Sequence, residues 1–270
     1  MDVITATEHV HPLHQSWAHM LQAGEFFHEP GKFIPLTSWE VNLPDGHINV
    51  YAKSTETEIA WSDISRDWDH VAEFDDPEDI ITAVHVTMSP KHPSFDWNRA
   101  GKRLRLVEML QERGCSESNE PDALWDINPD PNKLDGSVRT ALAMGHRVGF
   151  VGGTDNHLGF PTRSNTVAGY VGMTGFISPE LTRASIWDAM NNRHTYATSG
   201  VPILCHFTIN GSLMGSELKL APGERALAKL QLYGTAPIDR VELISNGKTV
   251  FTWEPHAWEV DQEVELELPS

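Results

Sequence analysis

Five short apolar runs in this chain each end on a carboxylate or an imidazole, and no other feature limits its possible folds as much. They are Val3-Ile4-Thr5-Ala6-Thr7 before Glu8-His9, Ile34 to Trp39 before Glu40, and Ile80-Ile81-Thr82-Ala83-Val84 before His85. The other two are Leu104-Arg105-Leu106-Val107 before Glu108, and Val148 to Thr154 before Asp155-Asn156-His157. Runs of this length, rich in Val, Ile and Thr and bounded by turn residues, read as buried strands. If such strands lie parallel in a ring, their C-terminal ends share one face and the polar termini converge there. Glu, Asp and His gathered at one mouth are a ligand set for a divalent metal in hydrolytic chemistry.

The bulk numbers narrow the partners. With 38 acidic and 20 basic residues among 270, the formal charge is −18, which argues against nucleic acid or an anionic membrane as a partner. A polyanionic substrate would also be repelled unless bound cations invert the field locally. The two cysteines, Cys115 and Cys205, form no disulfide framework and read as reduced or buried thiols. No run approaches the roughly 18 apolar residues needed to span a bilayer, and no signal peptide is visible, so the expected location is cytoplasmic.

Residues 10–33 hold a helix-like stretch, and Pro44-Asp45-Gly46 marks a turn before a further strand at 47–51. Residues 54–79 are acidic and read as loop with one short helix. Asp135 to Met144 reads as a helix closed by Gly145, and Ser178-Pro179-Glu180 as the start of another that runs to about Asn192. After Gly200 the texture changes: Ile203, Cys205, Phe207 and Ile209 alternate with polar neighbours, and Asn210-Gly211 and Asn246-Gly247 offer hairpin turns. Val264, Leu266 and Leu268 alternate with Glu263, Glu265 and Glu267. The expected organisation is a barrel over 1–200 and a small antiparallel β-sandwich-like domain over 201–270.

Thr154-Asp155-Asn156-His157 is the strongest single motif. Residues two apart at a strand end share a face, so Asp155 and His157 would point into one mouth. The alternative is an ordinary Asp-Asn turn with a surface histidine. It loses ground because Glu8-His9 repeats the carboxylate-imidazole pairing at another strand end.

These segments resemble the polymerase and histidinol phosphatase (PHP) superfamily. Val3 to His9 is similar to its "T-D-H" segment, and Gly152 to His157 to its closing "S-D-x-H" segment. Ser38-Trp39-Glu40 with Gly46-His47-Ile48-Asn49-Val50 resembles the glutamate segment of a PHP-like family. Arg193 to Gly200 resembles that family's "R-x-x-Y-A-T-(T/S)-G" ending. The resemblance implies a distorted (β/α) TIM-like barrel holding two divalent ions (Zn, Mn or Fe), and phosphoester hydrolysis. Glu8, His9, Glu40, His85, Asp155 and His157 would be the metal ligands, with Glu40, Asp155 and His157 serving catalysis. His92, His47 and Asp96 are candidate supporting groups. Arg163, Arg193 and Lys91 are candidates to bind the phosphate of a small-molecule substrate, or are ordinary surface cations. His11, His14 and His19 read as gate residues or as polar surface.

Two departures accompany the resemblance. The superfamily's opening His-x-His strand has no counterpart, so the barrel is expected to be incomplete at its N-terminus, with a third ion only if such a segment is supplied. Arg113 stands where the family segment usually places a histidine; a guanidinium does not ligate metals, though Cys115 nearby could. Three functional readings follow: a metallophosphoesterase, an amidohydrolase-type metal hydrolase, and a truncated or degenerate chain that binds without catalysing.

Overall fold

The computed structural model describes residues 1–9, 15–43, 46–56, 79–85, 87–88, 94–101, 103–118, 135–160, 171–221 and 223–267. The expected loop over 54–79 therefore lies largely outside the described residues. The architecture is mixed α/β, mostly strands with few helices. Seven strands form the first sheet: β1 (Val3–Thr5), β2 (Ile34–Leu43), β3 (Gly46–Ala52), β4 (Ile80–His85), β5 (Leu104–Gln111), β6 (Gly114–Cys115) and β7 (Gly149–Gly152). Its order is β1-β2-β3-β4-β5-β6, with β7 also paired to β5, and it curls into a half-barrel that fits a distorted barrel.

The expected ring of parallel strands is modified by one reversal. β1 is parallel to β2, and β4 is parallel to β5, which is parallel to β7. Between β2 and β4 sits β3, antiparallel to both. The physical reason is local: only two residues separate β2 from β3, too few for the crossover that a parallel pair requires. Two reversals cancel, so the five predicted runs all point their C-terminal ends the same way. β3 brings its first residues to that same edge.

Alternation along these strands feeds two cores. From β2, β3 and β4, Trp39, Val41, Ile48, Val50, Ile80 and Val84 pack on one face with Phe95, Trp97, Val138 and Ala141. On this side lies helix α1 (Gln15–Phe27), whose Trp17 ring meets Trp39 edge-on at 5.6 Å. Helix α2 (Val138–Ala143) lies there too, capped by Ser137, which accepts a hydrogen bond from Thr140 N. It starts later than the predicted Asp135, because Asp135 accepts bonds from Ser137 N and the Thr140 hydroxyl and so builds the turn before the helix.

On the other face, Tyr51, Ile81, Ala83, Leu106 and Val151 pack against Ile186, Trp187 and Met190 of helix α3 (Arg183–Asn191). Burying an aliphatic side chain of this kind contributes roughly 1.5–3 kcal/mol. A register shift in β5 carries Leu104 to the first core and Leu106 to the second. α3 is capped by Thr182, not Ser178: Thr182 accepts from Ser185 N, while the Ser178 hydroxyl donates to Glu180 O.

The free edge of β7 is finished by the antiparallel pair β8 (Met173–Phe176) and β9 (Thr195–Thr198), which α3 connects. The Thr174 hydroxyl accepts from Gly152 N at 3.0 Å and donates to Gly152 O at 2.8 Å, taking the place of a strand partner. Gly172 must be glycine: a Cβ there would stand 2.2 Å from Leu110 O and 2.7 Å from Gly153 N.

The later residues are antiparallel β. β11 (Ser212–Leu213), β10 (Leu204–Ile209), β12 (Ala226–Ile238) and β15 (Ala257–Leu266) form a four-stranded sheet, and β13 (Val241–Ser245) pairs with β14 (Lys248–Trp253). Asn210 and Asn246 both sit at positive φ (49° and 51°), as the two Asn-Gly hairpin turns require. Leu243 and Phe251 of the hairpin pack with Ala226, Ala228 and Leu266 of the sheet. Among the described residues, no helix is long and apolar enough to cross a membrane.

Candidate functional site

A cavity of about 430 Å³ opens at the edge where the five runs end. Its polar wall is assembled by the period of two along each strand. Glu40 shares a face with Ser38 and Leu36, His85 with Ala83 and Ile81, Glu108 with Leu106, and Asn49 and Tyr51 with each other. Polar strand ends beside apolar strand middles therefore give a cavity that is charged at the mouth and apolar below.

Glu40 is the centre of the cluster, with only 8% of its surface exposed. The His47 Nδ1–H donates to its Oε1 at 2.6 Å. His9 Nε2 and His85 Nε2 stand 3.6 and 3.8 Å from its Oε2. Burial pushes the Glu40 pKa up, but the His47 hydrogen bond and the neighbouring His85 and His9 charges outweigh it, so the net shift is downward.

His85, 3% exposed, lies between three carboxylates. Its Nδ1 is 3.0 Å from Glu108 Oε1, and its Nε2 is 3.6 Å from Asp155 Oδ2 as well as near Glu40. Burial alone would lower its pKa; the charge and hydrogen bonding of Glu108, then the charge of Glu40, reverse this and raise it against the opposing charge of Arg113. Glu108 reaches His85 over Gly153, whose added Cβ would meet Glu108 Oε2 at 3.0 Å.

Asp155 follows β7 at φ 48°, a left-handed conformation that Asp tolerates better than most residues. Its side chain is 8% exposed and its Oδ2 is contacted by the Arg113 guanidinium. His157 Nε2 stands 4.0 Å from Asp155 Oδ1, is largely exposed, and its ring lies 6.2 Å from that of His9.

Of the predicted residues, the fold brings His9, Glu40, His85, Asp155 and His157 together. Glu8 lines the cavity but is exposed, and its carbonyl accepts from Glu40 N at 3.1 Å. Arg193 does not line the cavity: at φ 63° it donates to Gly215 O and pairs with Glu217. Lys91, Arg163, His92, His11 and His14 lie outside the described residues. His19 is exposed on α1, Asp96 caps the short 3-10 helix Trp97–Arg99, and the Cys115 sulfur accepts from Glu117 N. Both cysteines are free thiols.

Sequence reasoning underrated His47, Glu108 and Arg113. His47 had a signal, since it stands two residues before Asn49 on a strand opened by a Pro-Asp-Gly turn. Glu108 had one too, as the end of a run. Arg113 had one as well, standing where the resemblance places a histidine, but its contact with Asp155 depends on the β5–β6 turn.

The metal ions implied by the resemblance can be tested against this set. Among the described residues, no three His, Cys, Asp or Glu side chains are gathered so as to hold an ion; the imidazoles pair with the carboxylates instead. The donor chemistry nonetheless fits. His85 Nε2 faces Glu40 Oε2 and Asp155 Oδ2 at 3.8 and 3.6 Å, and Asp155 Oδ2 is buried without a well-formed hydrogen bond. Buried imidazole and carboxylate oxygen are the donors that Zn, Mn and Fe share.

Comparison with known proteins gives similarity of limited reach. A family model described as "Protein of unknown function (DUF3604)" matches residues 164–219. An uncharacterized protein of Chlamydia muridarum is 33% identical over 191 residues, covering 66% of this chain and 30% of that protein. One from Chlamydia trachomatis serovar D is 34% identical over 181 residues, covering 61% of this chain and 27% of that protein. The chain thus spans about a third or less of the length of these relatives. A solved two-domain protein from Bacteroides vulgatus, described as containing a predicted PHP-like metal-dependent phosphoesterase, aligns with 98% of this chain and 77% of its own. Its TM-score is 0.43 at 12% identity, a likeness too distant to assign fold or function.

Proposed function

We propose that this chain carries the metal-binding site of a hydrolase, with a small-molecule phosphoester as substrate, built in a PHP-type distorted barrel over 1–200 with a β-rich domain over 201–270. One observation carries the reading: a carboxylate that is 8% exposed, Glu40, has the imidazoles of His9, His47 and His85 within 3.8 Å at the wall of a cavity. A surface cluster would not need so many buried ionisable groups, and a structural core would avoid them.

His9, Glu40, His85, Asp155 and His157 would hold a divalent ion, with Glu8 at the rim. When bound there, an ion would lower the pKa of a water to about 7 and so supply a nucleophile at neutral pH. Glu108 fixes the His85 ring through Nδ1, leaving Nε2 turned to the cavity. His47 anchors one oxygen of Glu40 and leaves the other facing His9 and His85. The phosphoester class rests on the resemblance of the Glu8-His9 and Asp155-Asn156-His157 segments. The amide-cleaving alternative uses the same donors, and a screen of phosphomonoesters against cyclic amides separates the two.

The first test is metal content per chain, by elemental analysis of purified protein beside an Asp155→Ala, His157→Ala variant. One or more Zn, Mn or Fe per chain, lost in the variant, is the expected result. A folded protein that takes up no metal on reconstitution would overturn the reading and leave a chain that binds without catalysing.

A further inference from the structure

Against the cavity-lining Asp155 stands an ionic group that the proposed chemistry does not use. Arg113 sits in the turn between β5 and β6, followed by Gly114 at φ 135°. Gln111, 2% exposed, accepts from Arg113 N at 3.3 Å and from its Nη1 at 3.0 Å. That grip turns the guanidinium inward, where Nη1 contacts Asp155 Oδ2. This oxygen also faces His85 Nε2 at 3.6 Å.

The side chains of Glu40, Glu108 and Asp155 are each less than a tenth exposed, and such carboxylates must be matched by positive charge. Two things can supply it at Asp155: a divalent ion or the guanidinium. Both cannot sit on Oδ2, since two cations at contact distance repel, all the more in a partly buried site. A guanidinium never loses its proton, so it cannot leave by titration; it can only swing out.

We infer that Arg113 is a tethered cation occupying the place of one metal ion at Asp155, so that it lowers the number of ions the cavity holds. The inference rests on the metal-binding reading above. Arg113 acts as a specificity-determining residue here. While it stays on Oδ2, an ion can use only the Oδ1 of Asp155, on the side of His157, and the place between Oδ2 and His85 Nε2 stays closed to a second ion. Removing it frees a carboxylate oxygen that already faces an imidazole.

The experiment measures Mn²⁺ and Zn²⁺ stoichiometry and affinity by calorimetry and elemental analysis, in the whole chain and in Arg113→Met and Arg113→Lys. Met keeps the bulk and removes the charge; Lys keeps the charge without the fork. The expected result is one additional ion per chain, or at least tenfold tighter binding, in Arg113→Met. Arg113→Lys should stay near the parent, and the gain should vanish in Arg113→Met, Asp155→Asn. A gain of binding is not something a merely destabilised protein produces. Equal, non-zero metal binding in the parent and Arg113→Met would overturn this inference and leave the metal-binding reading standing. No metal in any folded form would overturn both. Metal in Arg113→Met alone would support Arg113 as the blocking cation while overturning the reading that the parent chain itself holds metal.

Discussion

Glu108→Gln is the sharpest single test of how the cavity is tuned. Glu108 Oε1 stands 3.0 Å from His85 Nδ1, while His85 Nε2 faces Glu40 and Asp155 at 3.8 and 3.6 Å. The carboxylate therefore holds the proton of the neutral ring on Nδ1 and keeps the Nε2 lone pair toward the cavity. Glutamine has the same size and retains one acceptor, so Gly153 and the buried wall need not move. It removes the charge that makes the ring a better base, and its amide can flip and favour the other tautomer. Substituting a carboxylate that orients a ligand histidine costs about 10–100-fold in metal affinity, or about 1.4–2.7 kcal/mol. The assay is competition with a chelating dye for Mn²⁺ or Zn²⁺ at fixed pH, with circular dichroism to show that the variant is folded. An affinity within about twofold of the parent would refute the reasoning, because His85 would then owe its orientation to something other than Glu108.

Two further outcomes concern the frame around the site. Gly172→Ala puts a Cβ 2.2 Å from Leu110 O, at the junction of β5 and β7. Overpacking of this kind costs about 1–3 kcal/mol, or a fall in melting temperature of about 2–5 °C for a chain of this length, and no measurable change would show that the junction relaxes freely. Burial pushes the Cys205 thiol from 9.0 to about 11. The folded state then resists ionisation that the unfolded chain accepts, so this contribution to stability is intact below 9.0 and is lost as pH rises to about 11. Denaturant midpoints from pH 8 to 11 should decline less steeply in Cys205→Ser than in the parent; parallel declines would refute it.

The sequence carried the strands and their polar ends because both signals are local. Ile80 to Val84 is an unbroken apolar run, and His85 follows at once. Asn210-Gly211 and Asn246-Gly247 define their hairpins from two residues each. What escaped depends on distance. The reversal of β3 was foreshadowed by its turn, but that it lies between β2 and β4 follows from pairing with a strand some thirty residues later. The start of α3 was misplaced because Ser178 and Thr182 are both acceptable caps, and only packing of Ile186 and Met190 chooses between them. Arg193 belonged to a motif yet reaches Gly215 and Glu217, partners that no periodicity announces. Arg113 illustrates the same limit at the site itself: a turn residue points wherever its turn aims it.

The reversed strand has a consequence for how the cavity breathes. β3 is bonded on both edges along nearly its whole length, to β2 from Gly46 to Ala52 and to β4 from His47 to Ala52. β1 is held to β2 over only three residue pairs, and 153–160 contain no strand. Amide hydrogens in the wall that bears Glu40, His47 and His85 should therefore exchange with solvent last, near the limit set by global unfolding. Those around His9 and His157 should exchange early. The cavity has one stiff jaw and one compliant jaw, and a ligand clasped between them would slow exchange in the compliant jaw alone.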